Sequence, residues 1–336
     1  MRKLLLILMA MVPVALWAQF APAQDKPGTT AMHADSSAFV AWATGCTVEP
    51  GPMNITNPSA GLAGQGWPAE NVIGVPEGTY SVACLGDGGV ATVTFASPIC
   101  NRPGPDFAVF ENGFANAQNT DMWFLELGFV EVSSDGENFF RFPAYSNTQT
   151  LTQIGGMGCI DPSQIHNLAS KYGAMYGTPF DLDEVPDNEL LDKENITHIR
   201  IIDVIGNIDP EYATYDCQGH PVNDPWPTPF ASCGMDLDAI GVIHDIEHFP
   251  TPPGPGPGQG VEENESEKVS VYPNPASDKL FVNAENVQHI DLYNVTGQLV
   301  LSTTETEINV SELESGMYFV RVKYGEKTYT ERVIIR

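Results

Sequence analysis

The side chains in this chain best equipped for chemistry are acids. Asp236 and Asp238 stand two apart in "GMDLDAIGV", and in an extended strand that spacing turns both carboxylates to one face while Leu237 faces the other. Asp106 and Glu111 flank the apolar stretch "FAVF", and Asp209 and Asp216 fall in one loop. Calcium takes 6–8 oxygens from carboxylates, amides and backbone carbonyls. The acids therefore predict a structural Ca2+ site built on Asp236 or Asp238, with Asp106, Glu111 or Asp209 contributing. The same aspartates could instead be solvated, or could cap backbone N–H groups in turns. The spacing is not that of an EF-hand loop.

Aromatic residues make a second set. Trp67 in "GQGWPAEN", Tyr212 and Tyr215 in "DPEYATYD", and Trp226 in "NDPWPTPF" all lie in segments too rich in Gly and Pro for a central strand. An exposed indole beside Asn223 and Asp224 could stack on a sugar face or another flat apolar ligand while its polar neighbours orient it. Alternatively, these rings fold back and staple the loops. Trp42 and Trp123 sit in apolar runs and read as core.

Motifs of catalysis are missing: there is no G-x-S-x-G, H-E-x-x-H or phosphate-binding loop. His244 and His248 in "HDIEH" would make a metal pair on a helix, but they follow a strand pattern. With so many acids, no carboxylate pair stands out for glycoside hydrolysis.

Six cysteines (Cys46, Cys84, Cys100, Cys159, Cys217 and Cys233) carry no C-x-x-C spacing. In an exported protein an even set reads as disulfides, with fifteen connectivities open; the pairs expected are Cys217 with Cys233, closing one loop, and Cys84 with Cys100, across one strand and its return. A catalytic thiol is the other reading.

The elements that must position these residues are strands. "GVATVTFAS", "DFAVFEN", "WFLELGFVEVSSDG" and "HIRIIDVIG" alternate or run apolar, with Gly and Asp punctuation, and Asp135-Gly136 marks a hairpin. One short helix is expected over residues 162–172, opened by Asp161 as cap and Pro162 as first residue. The fold class is all-β: a jelly-roll-like β-sandwich body at residues 24–250 and a small immunoglobulin-like β-sandwich at residues 269–336. Between them, residues 251–268 are a Pro/Gly-rich and then acidic linker. At the other end, Met1-Arg2-Lys3, an apolar run over residues 4–17 and Ala21-Pro22-Ala23 describe a secretory signal peptide ending at residue 23. No later segment is apolar enough to span a membrane as a helix.

The net charge is −28, and residues 31–250 hold 29 Asp and Glu against 5 Lys and Arg. That balance makes nucleic acid and anionic membrane surfaces poor partners and suits either cation binding or simply solubility.

In the tail, "YPNPASDKLFV", "IDLYNVTGQLV" and "LESGMYFVRVKYGEKTYTERVII" occur in order and together resemble the type A sorting domain of the type IX secretion system. That domain is found on proteins exported by Bacteroidetes. The resemblance implies passage into the periplasm and then through an outer-membrane translocon, whose sorting machinery reads the tail. It also implies a secreted or outer-cell-surface location. In the body, "CLGDGGVATVTF", "GPDFAVFENGF", "IRIIDVIGNIDP" and "DPWPTPFASCGMDLDAIGVI" resemble uncharacterised bacterial cell-surface proteins and, more loosely, ligand-binding jelly rolls, which often hold calcium near the final strand.

The function expected is non-catalytic capture of a glycan or a nutrient cofactor such as a corrinoid, at a site around Trp226, Trp67 and the Tyr212–Asp216 loop. A structural or adhesive surface protein that meets another macromolecule is the alternative, and an extracellular hydrolase a third.

Overall fold

The computed structural model describes residues 20–250 and 269–336, apart from residues 79, 285, 295–298, 312, 314 and 325–326. Most of the expected leader and the whole expected linker lie outside the described residues. The chain divides into two compact units after Pro252.

The first unit is built on seven main strands: β1 (Gly45–Glu49), β2 (Val90–Ile99), β3 (Phe107–Glu111), β4 (Gly128–Ser133), β5 (Tyr176–Phe180), β6 (Ile196–Asp203) and β7 (Asp236–Val242). They form two antiparallel sheets. One runs Met32–His33, β5, β3, β7, Ala41–Trp42, with Ala83–Cys84 also paired to β7; the other runs Phe140–Arg141, β4, β6, β2, β1, with Leu168–Ala169 paired to β4. Alternation explains how the sheets face each other. Ile199 of β6 lies between Val93 and Val132, and Ile201 between Ala91 and Val130, so three strands present one apolar surface. Phe107 and Val109 of β3 and Leu237, Ile240 and Val242 of β7 join the same core. Each such side chain contributes about 1.5–3 kcal/mol by leaving water.

Strand β7 departs from strict alternation. Its pairing with β3 slips between Leu237 and Ala239, and the core residues Leu237 and Ile240 are accordingly three apart rather than two. A bulge thus falls at Asp238.

The expected helix is not formed. Pro162–Gln164 is a single 3-10 turn, with the Asp161 side chain accepting from Ser163 N. Asn167 and Ser170 have φ of 52° and 66°, a left-handed conformation that no right-handed helix tolerates. The segment is held instead by Lys171, whose buried Nζ donates to the carbonyls of Pro162 and Ile165. The hairpin at Asp135-Gly136 does form, joining β4 to Phe140–Arg141, with Gly136 at φ +77°.

Residues 20–23 belong to the body. Phe20 N donates to Ser163 O at 3.0 Å, the Phe20 ring stacks on His166 at 5.1 Å, and Ala23 is buried with Leu125, Leu127 and Ile160.

Among its described residues the second unit has seven strands: β8 (Ser270–Tyr272), β9 (Lys279–Asn283), β10 (Val287–Asn294), β11 (Leu299–Thr303), β12 (Glu307–Asn309), β13 (Gly316–Tyr324) and β14 (Lys327–Ile335). A sheet ordered β8-β9-β12 and one ordered β11-β10-β13-β14 enclose Leu280, Val282, Ile290, Leu292, Val320, Val322 and Val333. The protein is all-β. Among the described residues, no helix is long and apolar enough to cross a membrane.

Candidate functional site

Apart from Glu131, which is bound by Arg141 and Arg200, two kinds of buried acid matter in the body. In the first, backbone N–H groups clasp the carboxylate. Asp203 accepts from Gly88 N and Met235 N at 2.9 and 2.7 Å. Asp238 accepts from Glu77 N and Gly78 N at 3.1 and 3.0 Å. Asp106 accepts from Arg102 N and Leu182 N, each at 2.9 Å, and meets His244 Nδ1 at 2.9 Å. Asp224 accepts from Leu127 N at 2.9 Å, and Asp216 from Ser146, Gln218 and His220. These side chains tie loops to strands. They match the alternative reading of the aspartates as N–H caps.

The second kind is Glu126 and Asp236. Glu126 Oε1 and Asp236 Oδ1 are buried without a hydrogen-bond partner, and no backbone N–H reaches either carboxyl among the described residues. Asp236 Oδ2 accepts from Asn112 Nδ2 at 2.9 Å. Glu111 stands behind them, with Oε2 accepting from Gly113 N at 2.6 Å and Oε1 unpartnered. Burial raises all three acids, and neighbouring negative charge adds to the rise for Glu111 and Glu126. Asp236 moves to about 6, and Glu111 and Glu126 lie well above the ordinary range.

Glu126 and Asp236 share a cavity of about 270 Å³ with Asn112, Thr228 and Ser232. Its apolar wall is Trp67, Tyr80, Phe114, Phe124, Met157 and Phe230. Tyr80, Phe114, Met157 and Phe230 are well exposed. The elements explain the assembly. Asp236 opens β7 and pairs with Cys84. Asn112 follows β3, and Phe114 lies on a short ribbon, stacked on Phe124 at 4.9 Å.

The loop carrying Thr228, Phe230 and Ser232 is braced from behind. Trp226 Nε1 donates to Asp87 Oδ2 at 3.1 Å and Trp226 N to Ile154 O at 3.0 Å. Asn223 is fully buried, and its amide binds Gln149 O, Thr152 O and Ile154 N. Gly206 is required here: at φ +76°, a Cβ on it would lie 1.7 Å from Asp224 Oδ1.

A larger cavity, of about 490 Å³, lies beside Phe20, His166 and Lys171. Its polar groups are paired with one another: His166 Nε2 meets Glu184 Oε2 at 3.0 Å, Asn167 donates to the same oxygen at 2.6 Å, and Lys171 is bound to carbonyls. It is a seam of the fold rather than a site with free valences.

The residues expected from sequence are therefore dispersed. Trp67 and Asp236 line the smaller cavity, and Glu111 backs it. Trp226, Asn223 and Asp224 support it with their polar atoms occupied by protein partners. Tyr212 and Tyr215 lie on the loop at Asp209–Pro221, where Tyr212 bonds Glu211 and Asp209 caps Glu211 N. Of the acids expected to share a site, Asp236 and Glu111 are neighbours, whereas Asp238 is set apart by the bulge and Asp106 and Asp209 are bound to backbone N–H groups of their own surroundings. Among the described residues no three His, Cys, Asp or Glu are arranged to hold a metal ion.

The expected cysteine pairs are not formed either; all six are thiols. Cys217 is exposed, and its N–H is taken by Ala144 O, while Cys233 is buried and its carbonyl accepts from Gly86 N. Cys84 sits beside Asp236 and close to Cys233, whereas Cys100 Sγ turns to Phe249 O. Burial pushes the thiols of Cys46 and Cys233 up to about 12. Loop ends near in sequence are here sewn to different strands.

Glu126 escaped the sequence reading. Its signal is the run "WFLEL": Phe124, Leu125 and Leu127 are apolar on both faces, so an acid inserted among them must be buried.

Comparison with solved structures finds the β-glucuronidase from Ruminococcus gnavus in complex with D-glucaro 1,5-lactone, at 12% identity and a TM-score of 0.24, covering 96% of this chain and 47% of that one. The apo structure of the same enzyme matches at 12% identity and a TM-score of 0.25, covering 95% and 47%. This chain spans about half the length of that enzyme, and likeness of this size bears on neither fold nor activity. No curated protein matches the chain. Residues 270–336 match the secretion system C-terminal sorting domain: the tail is the export address of a type IX secretion substrate, and the protein is exported to the cell surface or the medium.

Proposed function

We propose that the exported body is a surface binding module that takes a small ligand in the cavity walled by Trp67, Phe114 and Phe230 and floored by Glu126 and Asp236. One observation carries this reading: two buried acids, each with a carboxyl oxygen that lacks a hydrogen-bond partner, line a cavity whose wall carries exposed aromatic side chains. Leaving a buried polar atom unpaired costs about 1–3 kcal/mol, and the body's other buried acids largely avoid that cost by binding backbone N–H groups. A ligand that satisfies the free oxygens and covers the rings recovers it.

The same pair of carboxyls, held in unlike environments, is also the equipment of acid–base hydrolysis. Turnover therefore belongs among the readouts. The test is a thermal-shift screen of the mature chain against monosaccharides, a corrinoid, small amines, and calcium with chelator, each followed by product analysis. A ligand at 100 times its Kd adds about 2.7 kcal/mol, or roughly 5–10 °C for a body of this size. The shift should vanish in Trp67→Ala and in Glu126→Gln. Shifts that survive both substitutions would put the binding site elsewhere. Product formation lost in Glu126→Gln would make the site that of an enzyme. No shift with any ligand would favour an adhesive or structural role.

A further inference from the structure

Resting on that reading of the cavity, we infer that its ligand is a compact organic cation, an alkylated ammonium group, held against the rings of Trp67, Phe114 and Phe230 and neutralised by Glu126 and Asp236. The lining decides between ligand classes. No Lys, Arg or His lines the cavity, so an anion would meet two acids and no positively charged side chain.

A metal ion is poorly served. Calcium needs 6–8 oxygens, and half of this wall is aromatic carbon or thioether; no metal-holding group of acids is found among the described residues. A neutral sugar needs donors and acceptors arranged around its ring. Here the Asn112 amide is already spent on Asp236, which leaves the Thr228 and Ser232 hydroxyls among the donors. An ammonium ion asks for what the cavity supplies: two acids at the floor, which a positive charge beside them draws toward their ionised forms, and π faces at the rim.

Size agrees. Pockets for drug-sized ligands measure about 300–1,000 Å³, and a cavity of about 270 Å³ suits a smaller ligand such as a head group. Electrostatics agrees too. Glu126 is pushed up first by burial and then by the charges of Asp236 and Glu111, repulsion that one positive charge at the cavity would relieve. The body's acidic surface adds attraction at long range.

The test uses the mature full chain at pH 7.5, with choline, n-butylammonium and the uncharged choline isostere 3,3-dimethylbutan-1-ol, read by thermal shift and tryptophan fluorescence. One or both ammonium ions should bind at least about tenfold more tightly than the isostere. Glu126→Gln should remove that preference, and Phe230→Ala, at an exposed position, should weaken ammonium binding while leaving the fold intact by circular dichroism. Equal binding of the isostere would overturn the cation inference and leave the binding cavity standing. So would binding of a neutral sugar that depends on Trp67. Failure of both ammonium ions to bind would also overturn it, and failure of every ligand in the wider screen would remove the binding reading with it.

Discussion

At the scale of single residues, two tryptophans expected to act together prove to have different duties. Trp67 lines the cavity, whereas Trp226 gives its Nε1–H to the buried Asp87 and its backbone N–H to Ile154. Replacing Trp226 with Phe keeps most of the apolar surface and leaves Asp87 short of one donor. A hydrogen bond to a charged group contributes about 1.5–3 kcal/mol, and denaturant titration of Trp226→Phe should show a loss of that size. Trp67→Ala should cost less stability and remove ligand binding. Sequence made part of this legible. Asp236, Glu111 and Trp67 stand out by type, because acids and indoles in Gly-rich or strand-flanking segments invite a functional reading. What sequence did not carry was partnership: whether Asp224 or Asp236 keeps a free oxygen depends on which backbone N–H the fold brings up, from as far away as Leu127 for Asp224.

At the scale of elements, strands were readable and their interruptions were not. Period-two alternation identifies β2, β4, β6 and all seven strands of the tail, because one face of each must be apolar. The single-residue bulge at Asp238 has no signature of its own, and it separates two carboxylates that spacing had joined. The helix expected after Asp161 was lost to tertiary ties, chiefly the Lys171 ammonium, which binds two carbonyls of that segment. The first described residues also pack on the body. A leader ending at residue 23 would remove Phe20, which stacks on His166, and the buried Ala23. A chain beginning at Gln24 should therefore be less stable than one beginning at residue 19, by about 2–4 kcal/mol from the lost apolar burial. Calorimetry on the two recombinant chains measures that difference, and equal melting temperatures would show that these contacts contribute nothing.

For the whole molecule, charge sets the response to pH. Asp106, Asp236 and Asp238 are each raised to about 6, with burial the largest cause, and Glu111, Glu126, Asp203 and Asp224 lie well above the ordinary range for the same first reason. A buried acid with a raised pKa is favoured in its protonated form. Its contribution is fully present below the unfolded-state value near 4 and is lost as pH rises through the folded-state value near 6. Between those limits the folded body holds more protons than the unfolded chain, and each such group costs about 1.4 kcal/mol per pH unit. The body's melting temperature should thus be several degrees higher at pH 5 than at pH 7.5. A flat profile, or one rising with pH, would mean that these carboxyls ionise freely in the fold. This behaviour is the reverse of ordinary acid denaturation.

The thiols carry a practical consequence. Cys84, Cys100 and Cys233 are buried, Cys46 and Cys159 are half-buried, and Cys217 is exposed. A brief maleimide pulse on the native protein therefore has one readily reachable target, Cys217, on the Asp209–Pro221 loop, none of whose residues lines the aromatic cavity. The wild-type chain thus comes with a built-in attachment point for a fluorophore or a surface tether, and ligand uptake can be followed on it without engineering a cysteine.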